Sequence, residues 1–188
     1  ILNGEHAFKD FWIVSGFFID YLQSIIFYLL GINWQTYLLN ASILNGCVTL
    51  LLYLLLNNLG LNFKLSFFYA ICFSILAYPS SGTPFVDHHS TFLSLIAVLA
   101  LIKALQSDKL IYWFLIPIFL FFAFLSKQVP SSYIFFSVLI LITLHFTHQE
   151  KNNLIKIFLT LLCSSLLMFF CLFIFFKINE IEINLFIT

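Results

Sequence analysis

Leu110-Ile-Tyr-Trp-Phe-Leu-Ile-Pro-Ile-Phe-Leu-Phe-Phe-Ala-Phe-Leu-Ser126 runs for seventeen residues without a charged side chain. A helix needs ~20 mostly apolar residues to cross the hydrocarbon core of a bilayer. Seven segments of this chain approach that length, at 16–31, 36–57, 64–79, 90–105, 110–126, 130–147 and 154–177. Hydrophobic residues make up 62% of the chain and charged residues 9%, too little polar surface to cover a soluble fold. The fold class is therefore all-α: a polytopic transmembrane bundle of about six spanning helices plus one interfacial or partly spanning helix. No internal repeat is evident. The chain reads as a single transmembrane domain over 1–188, with an outer loop and interfacial helix in 1–35 and the helical bundle in 36–188.

The formal net charge is zero, which removes the electrostatic case for nucleic acid. All eight basic residues are lysine and there are 26 phenylalanines, a composition expected of an AT-rich genome. The expected location is the inner (plasma) membrane of a bacterium. Cys47, Cys72, Cys163 and Cys171 lie in apolar segments without CxxC spacing and read as small packing residues. The chain opens on Ile1 without a basic region leading into an apolar core, so the start is not a signal peptide. It reads as a fragment of a longer protein, inactive by itself.

Lysines accumulate in cytoplasmic loops of membrane proteins. The 57–64, 103–110 and 147–156 connectors hold Lys64, Lys103, Lys109, Lys151 and Lys156, five of the eight. The loop before Asp87 holds none, so it is expected to face outward. The 16–31 segment carries Asp20 and Gln23 near its middle, and a central carboxylate costs about 2.5–3.5 kcal/mol on insertion scales. An interfacial or cavity-facing helix there returns Asp10 to the side of Asp87. A true span with Asp20 facing a cavity is the alternative.

Tyr78-Pro-Ser-Ser-Gly-Thr-Pro-Phe-Val-Asp-His-His-Ser-Thr91 sets one carboxylate beside two imidazoles at a membrane boundary. Ionisable groups there are functional candidates by default. Adjacent residues on a helix diverge by about 100°, so Asp87, His88 and His89 share an ion only from a loop, which Gly82 and Pro84 suggest. Carboxylate with imidazole suits Mn²⁺ or Zn²⁺, and oxygen ligands suit Mg²⁺. A helix starting near Ser90 would point free amides at the spot, an anion site for phosphate. The competing reading is an ordinary helix start capped by Ser90 or Thr91, with solvated histidines. Lys127, on the lysine-poor side, is either a ligand for a lipid phosphate or a side chain snorkelling to the headgroups. Asp10, among aromatic residues at the interface, is either a general base or simply solvated. Asn40, Ser42, Asn45 and Gly46 form a polar, small-residue face suited to helix packing. His145 and His148 flank a turn and read as solvated.

Gly4-Glu-His-Ala-Phe-Lys-Asp-Phe-Trp12, followed by Tyr21-Leu-Gln23 and Leu30-Gly-Ile-Asn-Trp34, resembles the start of polyprenyl-phosphate-dependent glycosyltransferases of the GT-C fold. The nearest likeness is to the protein O-mannosyltransferase-like and aminoarabinose-transferase-like membrane enzymes. Asp10 and Asp87 match the acidic residues of the family's first and second outer loops, and Leu125-Ser-Lys-Gln-Val-Pro130 resembles its Leu-Thr-Lys-Gly-Pro element. The resemblance implies a GT-C-like N-terminal module that moves a sugar from a polyprenyl-phosphate donor to an acceptor on the outer face. Asp10 would deprotonate the acceptor. Asp87, with His88 or His89, would hold the donor phosphate through a divalent metal ion or by direct hydrogen bonding, and Lys127 and Ser90 would bind that phosphate. The implied partners are membrane lipid and the lipid-linked sugar. A membrane transporter relaying protons through Asp20, Asp87 and His88, and a non-catalytic membrane subunit, are the alternatives.

Overall fold

The computed structural model describes residues 1–13, 15–76, 85–107, 109–147 and 151–182. Among these, regular structure consists of helices: α1 (Phe18–Leu30), α2 (Trp34–Asn58), α3 (Phe63–Leu76), α4 (Val86–Gln106), α5 (Leu110–Ser126), α6 (Gln128–Phe146) and α7 (Lys151–Ile178). The ends follow from local chemistry. Gly31 closes α1 at a φ of 86°, where a Cβ would be strained, and its N–H donates to the Phe27 carbonyl. Two residues later Asn33 caps α2, its Oδ1 accepting from the Thr36 N–H at 2.8 Å. Asn62 does the same for α3 through the Leu65 N–H, at 2.9 Å.

Solvent preference is inverted. Ser66, Ser90, Ser94, Ser126, Ser131 and Ser164 are buried, whereas Phe67, Phe68, Phe136, Phe169, Phe170 and Phe173 are exposed. An apolar exterior around hydroxyl-bearing contacts is the arrangement hydrocarbon favours, because small residues let helices approach and hydroxyls can bond across them. Ala97, Ala100 and Ala104 of α4 accordingly pack against Trp113, Ile116 and Leu120 of α5 to make the main core. Ser164 of α7 donates to the Phe114 carbonyl of α5 at 2.7 Å.

Among the described residues, four helices are long and apolar enough to cross a membrane: α2, α4, α6 and, over Asn153–Ile178, α7. This is the architecture of an integral membrane protein, and three shorter apolar helices, α1, α3 and α5, accompany the four. α5 stops at 17 residues, the lower limit for crossing, because the chain turns extended at Lys127. α3 has 14 residues, and 77–84 lie outside the described residues.

α2 and α4 descend together. Lys103 Nζ donates to Asn58 Oδ1 at 2.6 Å near both C-termini, and midway Asn45 reaches the Ser74 carbonyl at 3.0 Å while Phe73 meets Phe92. Residues 34–40 of α2 therefore extend beyond the level of Asp87, by roughly 10 Å at 1.5 Å per residue. α1 folds back along this overhang through Asn40 Nδ2 to Gln23 Oε1 (2.6 Å) and the Phe27–Tyr37 ring pair. Its first turn packs on the bundle, where Phe18 meets Phe122 of α5 and Tyr21 meets Phe175 of α7, and its 13 residues span about 20 Å. The N-terminal segment thus lies at the same end as Asp87. Asn40 and Asn45, from the polar face of α2, serve as inter-helix bonds, while a Cβ on Gly46 would meet open space.

Candidate functional site

Lys127 alone separates α5 from α6, with φ −160° and ψ 130°. Its N–H still bonds back to the Ala123 carbonyl at 3.0 Å, closing α5. Pro130 follows in the first turn of α6, where an N–H would have no intrahelical partner and its loss is harmless. The last carbonyls of α5 are left facing outward, and three segments satisfy them. The Lys127 carbonyl accepts from Ser90 Oγ of α4 at 3.0 Å and from Ser131 Oγ of α6 at 2.8 Å. The Ser126 carbonyl accepts from the Gly16 N–H at 3.1 Å. The junction is thereby clamped, and the Lys127 ammonium reaches Asp87 Oδ1 at 2.7 Å.

Asp87 lies in the first turn of α4, which starts at Val86 rather than near Ser90. The carboxylate benefits there from the positive end of the helix. Phe85 occupies the cap position, and neither Ser90 nor Thr91 caps. Ser90 is fully buried with its one hydroxyl proton given to Lys127, so it supports the lysine's backbone instead of facing a phosphate. Thr91 Oγ1 returns to the Asp87 carbonyl at 2.8 Å.

Because Asp87, His88 and His89 are helical, they fan apart. Asp87 turns to Lys127, and His88 lies between the rings of Phe85 and Phe92 at 6.1 and 5.9 Å. His89 is 1% exposed and its Nδ1 bonds the Phe85 carbonyl at 3.1 Å. A carbonyl only accepts, so Nδ1 carries the proton. Nε2 is then a lone pair with no hydrogen-bond partner among the described residues. Among the described residues no three His, Cys, Asp or Glu side chains converge as metal ligands would. Asp87, His88 and His89 therefore do not fit a shared Mg²⁺, Mn²⁺ or Zn²⁺, and no metal step is assigned to them. The expected loop with Gly82 and Pro84 lies outside the described residues, as does His148.

Divergence of the two imidazoles makes them separable by mutation. His89→Ala should remove about 2 kcal/mol of stability by leaving a cavity in a closed site. His88→Ala, at a half-buried position, should remove less. Thermal unfolding of both in detergent would show this, and equal losses would contradict the placement.

Asp10 sits on a turn of its own. Its Oδ2 accepts from the His6 N–H at 2.7 Å, and its N–H returns to the His6 carbonyl at 2.9 Å. The segment is anchored by buried Ala7, which packs with Phe17, Leu125, Phe176 and Ile181, and by His6 Nδ1 to the Tyr21 hydroxyl at 2.9 Å. Lys9 pairs with Glu180 just past α7 at 3.2 Å. The structure thus joins Asp87, Lys127 and Ser90 in one contact group and sets Asp10 at the same end on a separate, exposed turn.

Gly16 and Ser131 hold the junction, yet neither stood out in the sequence. The signal for Ser131 was its position just past Lys127, one helical turn from the carbonyl it bonds. Beside the junction an apolar cavity of about 480 Å³ opens between α5, α6 and α7, lined by Phe121, Phe124, Leu125, Phe136 and Leu172 among others. Its hydroxyls are already bonded, Ser131 and Ser132 to carbonyls of their own helix start and Ser165 to Leu161. The cavity wall therefore asks for hydrocarbon, while the Asp87–Lys127 pair, whose side chains do not line it, is half exposed. No family model, no curated protein and no solved structure matches this chain.

Proposed function

We propose that this chain is the donor-binding module of a membrane glycosyltransferase that takes its sugar from a polyprenyl phosphate, with the Asp87 end facing outward. The observation that carries the reading is the Lys127 ammonium held at 2.7 Å by Asp87 at the α5–α6 junction, together with an apolar cavity of about 480 Å³ lined by Leu125 and Ser131 of the two helices that meet there. A charged phosphate with a long hydrocarbon tail has these two requirements and few others. The lysine-poor end and the likeness of the Asp10 and Asp87 segments to GT-C outer loops agree with it.

In this mechanism the acceptor hydroxyl oxygen attacks the anomeric carbon of the sugar while the bond from that carbon to the phosphate oxygen breaks. The acceptor proton passes to the Asp10 carboxylate. The bonding pair leaves with the polyprenyl phosphate, and Lys127 stabilises the charge that develops there. Asp87 acts through Lys127, holding the ammonium at the phosphate position until the donor arrives. The lipid tail lies in the α5–α6–α7 cavity.

The test is polyprenyl-phosphate binding by the full-length protein. Only the Lys127 side chain is lost in Lys127→Ala, and a half-exposed ion pair contributes at most about 1 kcal/mol to stability, so the fold should survive. Affinity for the donor lipid should fall by roughly tenfold or more, the scale of one charge-assisted contact. Unchanged affinity would remove Lys127 from the donor site and the reading with it.

A further inference from the structure

The opposite end of the bundle carries a second pocket, between the C-terminal turns of α4 and α6 and the N-terminal turns of α5 and α7. Its volume is about 340 Å³, within the usual range for small-ligand sites. Ser107, His145, Asn153 and Lys156 line it in front of Trp113 and Ile157. The His145 ring is stacked on Trp113 with centroids 5.6 Å apart, which fixes the imidazole at the rim. Ammonium, amide and ring N–H are donors, and a phosphodiester offers only acceptors, so the two match.

The immediate sequence neighbours of these residues line something different. Phe146 and Phe158, one position beyond His145 and Ile157, line an apolar cleft of about 350 Å³ with Ile142 and Leu161 between α5, α6 and α7. The hydroxyls there are committed, Thr143 to the Leu139 carbonyl and Ser165 to that of Leu161. A donor-rich pocket and a dry cleft on adjacent residues call for a ligand with an anionic head and a hydrocarbon chain. A free anion would satisfy only the pocket, and a neighbouring helix would satisfy only the cleft. The connectors at this end and the helix termini flanking them hold five lysines against two acidic residues, whereas the rest of the chain holds three against six. An anionic leaflet is attracted to such an end.

We propose that the pocket between α4, α5, α6 and α7 binds the phosphate of an anionic phospholipid through Lys156, His145 and Asn153, with an acyl chain in the α5–α6–α7 cleft. The head-group pocket is separate from the Asp87–Lys127 junction, while the cleft shares Pro117, Leu120, Phe135 and Ser165 with the cavity at the other end, and the proposal does not rest on the transferase reading.

Native mass spectrometry of the full-length protein in detergent tests it, with phosphatidylglycerol and phosphatidylcholine of identical chains as probes. The wild type should retain phosphatidylglycerol about tenfold more strongly, as for one charge-assisted contact. Lys156→Glu should abolish that preference, and Lys156→Arg should keep it. Glycerol phosphate, which has the head but no chains, should fail to displace the lipid. Equal retention of the two lipids by the wild type, an unaltered preference in Lys156→Glu, or displacement by glycerol phosphate would each overturn the proposal.

Discussion

Asp87→Asn in the full-length protein is expected to cut sugar transfer by roughly 10²-fold while membrane expression and unfolding temperature stay close to wild type. The amide keeps the shape of the carboxylate and its place in the first turn of α4, but it no longer anchors the ammonium electrostatically at 2.7 Å. Stability should barely change, because a half-exposed ion pair is worth about 0–1 kcal/mol. The loss should fall on turnover more than on apparent donor affinity, since Lys127 remains present but is no longer held in place. Asp87→Glu, which restores the charge on a longer arm, should recover part of the rate. A variant with Asn that transfers sugar at the wild-type rate would remove Asp87 from the mechanism. So would one whose activity fell only in step with its stability.

Gly16→Ala should be the most destabilising single substitution in the N-terminal segment, upwards of about 3 kcal/mol, at the top of the usual range for overpacking. A Cβ at residue 16 would lie 1.7 Å from the Leu125 carbonyl oxygen and 2.3 Å from its carbon. Both are backbone atoms at the end of α5 and cannot swing aside as a side chain would. Relief requires the segment to lift, which breaks the Gly16 N–H bond to the Ser126 carbonyl and loosens the packing of Phe17 on Phe175 and Phe176. Gly46→Ala is the control. It lies within α2 with open space around it, so the same added methyl should be neutral or stabilise by up to about 1 kcal/mol through helix propensity. Melting curves of the two variants in detergent should therefore move apart. Similar curves would mean that the N-terminal segment does not dock at the junction.

Much of the architecture was legible in one dimension, because helices in hydrocarbon satisfy their own backbone and report themselves as apolar runs. The 110–126 run matches α5 residue for residue, and the Gly31–Asn33 pair marks the turn between α1 and α2 because each residue type meets a local backbone need. The lysine alternation likewise emerges as one end of the bundle, since loops that alternate along a chain of antiparallel helices share a side. Asp87 and Lys127 were each readable as charged residues at apolar boundaries, where a charge is costly and needs a reason.

Tertiary structure decided what those charges do. The pairing of Asp87 with Lys127 spans forty residues and exists because α4 and α5 pack antiparallel along an alanine face, bringing one helix start to the other's end. The same packing draws Ser90 onto the Lys127 carbonyl, which takes it away from any ligand. Starting α4 at Val86 separates Asp87, His88 and His89, since the helical repeat sends neighbouring side chains about 100° apart where a loop would have let them converge. The contact at Gly16 was not legible in the sequence because its role is the absence of a side chain opposite a carbonyl more than a hundred residues away. Composition and period thus determined the helices, whereas contacts between distant helix ends determined which charges meet.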